Sequence, residues 1–347
     1  MRALTGDATE VTGGPMRVNG GVAWEAGIEG LYRANLWLRT ATRVLVRLGE
    51  IEARDFARLR RRAAALPWER FVAAGTPIEA VVTARHCRLY HTGAIAERIA
   101  GAVADHLGAP AEGVEPVRII VRGEDDRFQI SVDSSGELLH RRGWRTEAGD
   151  APLRETLAAG LLLLAGYTGG EPLCDPTCGA GTLVLEAAAL ATRRAPGVGR
   201  SFAFERFPGH DGALLERLRA EARAGVRAAP AAIRGSDADA EVIAVARRNA
   251  ERAGLGDAVE LTVADATTLR LPGPPGLIVA NPPYGHRLGA TKDLYRVLGR
   301  LARSGGHRLA ILSGDQNLLR AAGRIHAVIS LMNGGLRVAL ALYDASI

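Results

Sequence analysis

The residues best equipped for chemistry stand together at 281–285, Asn-Pro-Pro-Tyr-Gly, directly after the apolar run 277–280. An exocyclic amine on a nucleobase is a poor nucleophile, because its lone pair is delocalised into the ring. Two acceptors, the side-chain oxygen of Asn281 and the carbonyl of Pro282, can take both N–H bonds and bias the nitrogen toward sp3. Pro282 and Pro283 stiffen the turn so that both acceptors point the same way. Tyr284 can stack on a base taken out of its helix. The plain alternative is a rigid Pro-Pro turn with a surface tyrosine, which the motifs upstream make hard to sustain. No cysteine follows the turn, which argues against covalent attack on a pyrimidine ring.

Upstream, residues 175–182 read Asp-Pro-Thr-Cys-Gly-Ala-Gly-Thr and run into the apolar stretch LVLEAAALA. A strand ending in a carboxylate, then a glycine turn entering a helix, lets backbone approach a ligand closely and offers it free N–H groups. A dinucleotide fingerprint would need a third glycine, where Val184 stands, and a ribose-binding acid about 20 residues on. The next strand-end acid is Asp237, 62 residues after Asp175. The spacing suits a nucleoside ligand without a pyrophosphate. Asp237, at the end of the run Gly-Ser-Asp-Ala-Asp, can accept both ribose hydroxyls, and Asp239 is the better candidate for a helix cap. Asp265, just past another strand, can accept from an adenine amino group.

Other chemistries find no support. The eight histidines are scattered, and His86, Cys87 and His91 lack a second ligand pair, so no metal is expected. The three cysteines cannot form a disulfide framework and are expected as reduced, mostly buried thiols. No paired carboxylates or Ser/His/Asp order emerge.

These residues need elements to position them. From 151 onward, β-like segments at 172–175, 233–237, 259–265, 277–281 and 308–313 alternate with helices, which argues for a parallel sheet covered on both faces. A helix is expected over 152–164. Two last strands, 325–332 and 336–343, flank Asn333-Gly334-Gly335 and predict a terminal antiparallel hairpin. The segment 190–230 reads as a long insertion that would shape the base pocket, with Phe202, Phe204 and Phe207 stacking on RNA or, more readily, packing as local core. Ahead of 151 the pattern is α+β. A strand pair is expected over 16–24, a helix over 28–39, a strand over 40–48 and an arginine-rich helix over 52–75. A strand follows at 78–83, then the helix Thr92–Leu107 with the stripe Ile95, Ile99, Val103 and Leu107, and strands at 117–122 and 127–133. The run Arg58, Arg60, Arg61, Arg62 reads as a solvated helix face before it reads as an RNA contact. Residues 138–145, LLHRRGWR, interleave basic groups with an aromatic.

Composition bounds the whole. The chain has 347 residues, 47% hydrophobic and 24% charged, as ordinary globular chains do and disordered ones do not. Its length suggests about two or three domains. Apolar runs are far shorter than the roughly 20 residues of a membrane span, and the N-terminus has no signal-peptide core, so a cytoplasmic protein with no membrane partner is expected. The net charge is +6 and the pI 9.7, but Lys292 is the only lysine among the 44 basic residues. That skew reads as a coding bias, so the charge permits nucleic-acid binding without arguing for it.

DPTCGAGT, GSDADAEVI and NPPYG, in this order, resemble the class I S-adenosylmethionine-dependent methyltransferases of exocyclic amines. PLRETLAAGLL, with RRGWRTEAGDAP before it, narrows the likeness to the THUMP-containing bacterial 23S rRNA (guanine-N2) methyltransferases. The resemblance implies an α/β fold, a Rossmann-like seven-stranded sheet with a terminal antiparallel hairpin over 148–347. An α+β THUMP RNA-binding domain over 30–141 and a partial ferredoxin-like module over 1–29 would precede it, since the family's opening strand and helix are missing from the reading. It implies that Asp175, Cys178, Gly179, Gly181 and Thr182 line the methyl-donor site, with Asp237 on the ribose and Asp265 on the adenine. Arg154, Glu155 and Thr156 would flank the methionine end, and Asn281, Pro282, Pro283 and Tyr284 would hold the base. The implied donor is S-adenosylmethionine, and the implied partner is 23S rRNA or its precursor particle. Transfer RNA, adenine-N6 methylation of RNA or DNA, and a non-enzymatic RNA-binding ribosome assembly factor are the alternatives.

Overall fold

The computed structural model describes residues 16–18, 20–145, 153–283 and 291–344. The chain divides into two compact units, Met1–Leu139 with Arg200–Arg219, and His140–Gly199 with Ala220–Ile347.

In the first unit a short hairpin, β1 (Met16–Val18) and β2 (Gly21–Ala23), precedes helix α1 (Ile28–Trp37). A four-stranded sheet follows, built from β3 (Leu45–Glu52), β4 (Ile78–Arg85), β5 (Val117–Glu124) and β6 (Arg127–Asp133) in the order β3-β6-β5-β4. Only β4 and β5 run parallel, and helix α3 (Thr92–Leu107) lies between them in the chain. The Ile95, Ile99 and Val103 stripe of α3 is buried. The arginine-rich helix α2 is shorter than its sequence suggests, Phe56–Ala64, and Asp55 caps it by accepting from the Arg58 amide. The third strand begins later than expected, at Leu45 rather than 40, and extends to Glu52.

The aromatic residues of 200–219 pack into the core of this first unit. Phe202, Phe204 and Phe207 are buried, and Phe204 stacks on Tyr32 with ring centroids 4.3 Å apart. The Tyr32 hydroxyl takes the Asp211 amide at 2.9 Å and meets His210 Nδ1 at 2.8 Å. Of the two readings of the three phenylalanines, core packing, the one the sequence favoured, is the one found. Their rings are spent on core packing, where an aromatic contributes most.

The second unit is a seven-stranded sheet with helices on both faces. Its strands are β7 (Leu173–Asp175), β8 (Ile233–Asp237), β9 (Glu260–Val263), β10 (Leu277–Ala280), β11 (Arg308–Ser313), β12 (Ala327–Asn333) and β13 (Leu336–Tyr343). They lie in the order β12-β13-β11-β10-β7-β8-β9, and β13 alone runs antiparallel to its neighbours. The hairpin turns on Gly334 and Gly335 at φ +56° and +90°, left-handed values that glycine adopts without strain. Leu277 and Val279 face one core while Ile278 and Ala280 face the other, and β11 and β13 alternate likewise. Two buried faces explain why these strands read as unbroken apolar runs. The helices are α4 (Glu155–Leu164), α5 (Thr182–Ala191), α7 (Ala240–Arg252), α8 (Lys292–Gly305) and α9 (Gln316–Ala322), while α6 (Gly212–Ala224) belongs for most of its length to the first unit. Helix α4 starts three residues later than the sequence suggests, and Pro152 lies outside the described residues. Among the described residues no helix is long and apolar enough to cross a membrane.

Candidate active site

The strand order creates the site. From β7 the chain adds β8 and then β9 on one side, and returns to add β10 on the other. The connections that follow β7 and β10 therefore lead to opposite sides of the sheet, and the crevice outside the carboxyl ends at such a switch point is where open α/β sheets take their ligands. Across the adjacent strands β10, β7, β8 and β9, the residues at that edge are Asn281, Asp175, Asp237 and Asp265.

Asp175 is 1% exposed, and its Oδ1 accepts from the Thr177 amide at 3.0 Å. Burial pushes its carboxyl up to about 7, against the Thr177 hydrogen bond and with the charge of Asp237 adding to the rise. Gly179 and Gly181 both have left-handed backbone, φ +54° and +88°. A Cβ at Gly179 would meet nothing within 4 Å, whereas one at Gly181 would stand 3.3 Å from the Ala246 Cβ on α7. Gly179 thus leaves open space beside the turn, and Gly181 lets α5 start tight against α7. Cys178 is buried and its amide donates to the Ser236 carbonyl, tying the turn to β8.

Asp237 joins the two turns. Its Oδ2 accepts from the Gly179 amide at 3.0 Å and its Oδ1 from the Asp239 amide at 3.2 Å. Asp239 is the cap of α7, accepting from the Glu241 and Val242 amides. Asp265 accepts from the Thr267 amide at 2.7 Å, and the hydrogen bonds of Thr267 hold its carboxyl below its ordinary range.

Asn281 is different. Its side-chain oxygen is buried and has no hydrogen-bond donor among the described residues. A buried orphan acceptor is costly, about 1–3 kcal/mol, and asks for an explanation. Pro282 beside it is buried, Pro283 is half-buried, and Tyr284 lies outside the described residues.

Arg154 is exposed at the cap position of α4, and Thr156 is half-buried. Glu155 is 2% exposed and paired with Arg145, whose Nε lies 3.1 Å from its Oε1. Thr182 also accepts from Arg145, at 3.3 Å. A second pair, Arg142 to Glu186 at 3.1 Å, is fully buried on α5. Sequence reasoning read 138–145 only as basic groups interleaved with an aromatic and gave neither arginine a partner. The available signal was Glu186, a lone acid in an apolar helix, which must find a buried partner. His140 sits among Arg154, Arg141, Arg145 and Arg142, and burial with these charges lowers it to about 4, so it is neutral at neutral pH.

Residues 142–337 match the profile described as RMKL-like, methyltransferase domain, which is more than half of the chain. The chain belongs to this family. Residues 13–45 also match the RlmL ferredoxin-like domain. The ribosomal RNA large subunit methyltransferase K/L of Psychromonas ingrahamii is 36% identical over 354 residues, covering 96% of this chain and 47% of the relative. The chain thus spans about half the length of the curated relatives it matches. SMU.472, solved as a complex with SAH (S-adenosylhomocysteine), superposes with a TM-score of 0.86 at 31% identity, covering 95% of this chain and 91% of that one. A Listeria monocytogenes chain described as a predicted N6-adenine-specific DNA methylase gives a TM-score of 0.86 at 29% identity, covering 95% and 89%. The class I methyltransferase fold, with its seven-stranded mixed sheet, is thereby established for the second unit.

Proposed function

We propose that the chain transfers the methyl group of S-adenosylmethionine to the exocyclic N2 amine of a guanine in 23S rRNA. The observation that carries the reading is the buried Asn281 oxygen, without a donor among the described residues, at the crevice beside the Asp175 turn. In this reading Asp175, Cys178, Gly179 and Gly181 cradle the donor, Asp237 takes its ribose and Asp265 its adenine. Arg154, Glu155, Thr156 and Thr182 belong to the methionine end. SMU.472 was solved with SAH, the product of such a donor, which supports the fit.

The guanine is extruded, and Asn281 Oδ1 and the Pro282 carbonyl accept its two N–H bonds. Pro283 stiffens the turn and Tyr284 stacks on the base. The amine attacks the sulfonium methyl in line, the carbon–sulfur bond breaks, and one amine proton leaves to solvent or a backbone acceptor. Positioning beside an already activated methyl supplies the acceleration, so no strong base is needed. Residues 30–141 act as a THUMP domain that binds the RNA, 1–29 as part of a ferredoxin-like module, and 148–347 as the catalytic domain, in the cytoplasm. The ribosomal substrate rests on the names of relatives such as the Psychromonas protein.

Adenine-N6 methylation is the second reading. Asn-Pro-Pro-Tyr serves that amine too, and the Listeria neighbour is described as such an enzyme. The test supplies labelled donor with unmodified large-subunit rRNA and, separately, with tRNA and DNA, and identifies the methylated nucleoside by mass spectrometry. N2-methylguanosine from rRNA is expected. N2-methylguanosine from tRNA alone would move the substrate, N6-methyladenosine would install the second reading, and donor binding without transfer would leave an RNA-binding assembly factor.

A further inference from the structure

We propose that Arg145 is a positioning residue of the donor site, and that Glu155 and Thr182 serve the donor through it rather than by touching the ligand themselves. The proposal rests on the donor assignment above. One guanidinium engages three points on two elements. Its Nη1 donates to the Leu153 carbonyl at 2.8 Å and to Thr182 Oγ1 at 3.3 Å. Its Nε and Nη2 fork onto the Glu155 carboxylate at 3.1 and 3.4 Å. Leu153 and Glu155 lie at the entry of α4, and Thr182 is the first residue of α5, directly after Gly181.

The burial of this cluster makes the arrangement demanding. The side chains of Arg145 and Glu155 are 14% and 3% exposed. Desolvation raises the Glu155 carboxyl and the charge of Arg145 opposes the rise, so each group needs the other. A lysine could not serve all three points, because its ammonium lacks the planar fork. Neither α4 nor α5 has a side-chain cap at its N-terminus. Arg145 therefore sets where two uncapped helix starts stand, and these are the two segments that flank the methionine half of the donor in the reading above. Arg154, exposed at the cap position of α4, is carried along with them and keeps its side chain available to the methionine carboxylate.

The neighbouring pair supplies a built-in control. Arg142 and Glu186 are more deeply buried, at 1% and 0% side-chain exposure, yet Glu186 sits a full turn inside α5 rather than at its start. That pair holds the fold, while Arg145 holds the start of both helices.

Calorimetric titration of the full chain with S-adenosylhomocysteine and, separately, with adenosine tests the proposal, with affinities counted per folded molecule. Arg145→Ala and Arg145→Lys are expected to weaken S-adenosylhomocysteine about tenfold or more, the loss of hydrogen bonds to a charged group, and to leave adenosine within about twofold. Thr182→Ala, which removes one of the three points, is expected to fold in any case and to weaken S-adenosylhomocysteine by a smaller factor, again sparing adenosine. Arg142→Gln is expected to lower the melting temperature with both affinities unchanged. Unchanged S-adenosylhomocysteine affinity in the Arg145 and Thr182 variants, or an equal loss for both ligands, would overturn the positioning role. A wild-type chain that binds neither ligand would overturn the donor assignment and this inference together, and the wild-type titration alone reveals that case.

Discussion

Two turns flank the crevice, and they are finished to different degrees. In the turn after β7, three hydrogen bonds tie the loop to the protein: Asp175 takes Thr177, Gly179 gives its amide to Asp237, and Cys178 is tied to the Ser236 carbonyl. In the turn after β10, Asn281 keeps a buried oxygen with no donor among the described residues. The contrast fits two kinds of occupant. A donor bound through backbone and ribose contacts needs a cradle whose shape is already fixed, and internal hydrogen bonds fix it. A base that arrives from outside needs an acceptor that none of the described residues has claimed.

The largest effect that could break this contrast is expected at Asn281. Asn281→Ala should lower single-turnover methyl transfer by about 10²–10³-fold, the scale of losing one electrostatic contact to the reacting group, while donor affinity stays put. Retained transfer would show that the unclaimed oxygen is incidental. Asp237→Ala should do the reverse, weakening donor affinity about ten- to a hundredfold by removing a charged acceptor; equilibrium titration with S-adenosylhomocysteine reads it. In the cradle itself, Gly181→Ala should cost about 1–2 kcal/mol from its left-handed backbone, plus the 3.3 Å approach to Ala246. Gly179→Ala, in open space, should cost less in urea unfolding, and equal costs would remove the distinction drawn between the two glycines.

A pH series sharpens the comparison further. The Asp175 carboxyl is raised to about 7 from an ordinary value of 3.8, so between those values the native chain binds a proton that the unfolded chain has released. Its contribution to stability is whole below the ordinary value and is lost as pH rises toward 7. Asp175→Asn should flatten that descent, measured as unfolding free energy from acid to neutral pH; an unchanged slope would contradict a buried, proton-holding carboxyl. The smallest effect is expected outside the second unit. Arg61, exposed on α2, should tolerate Arg61→Glu with its melting temperature nearly unchanged and transfer within about twofold, as surface charges usually do; a large loss of RNA methylation would turn that helix into an RNA contact.

Much of this was legible in the sequence, for physical reasons. Strands buried on both faces announce themselves as apolar runs, so β11 and β13 were read with their true ends. The stripe of α3 fixed both ends of that helix. The turn residues were legible because glycine, proline and strand-end acids have few other uses at those spacings. What was not legible depends on distant partners. Nothing local in Arg-Arg-Gly-Trp-Arg says that Arg142 and Arg145 turn inward to Glu186 and Glu155, since a charge run looks the same whether it is solvated or paired. Nothing local in 200–219 says that its phenylalanines join a core whose other members, such as Tyr32, lie about as far back as the chain allows. Arg58–Arg62 shows the converse case: Arg60 pairs with Asp105 and Arg62 donates to the Glu52 carbonyl on the surface, as the plain reading expected.

The account turns on the Asn281 oxygen, and a crystal structure of the chain with S-adenosylhomocysteine and a guanosine-containing fragment of large-subunit rRNA would test it most directly. The account predicts an extruded guanine with its N2 at hydrogen-bond distance, about 2.9 Å, from both Asn281 Oδ1 and the Pro282 carbonyl, facing the donor sulfur. A guanine bound elsewhere, with Asn281 Oδ1 taken up by a donor from the protein itself, would contradict it.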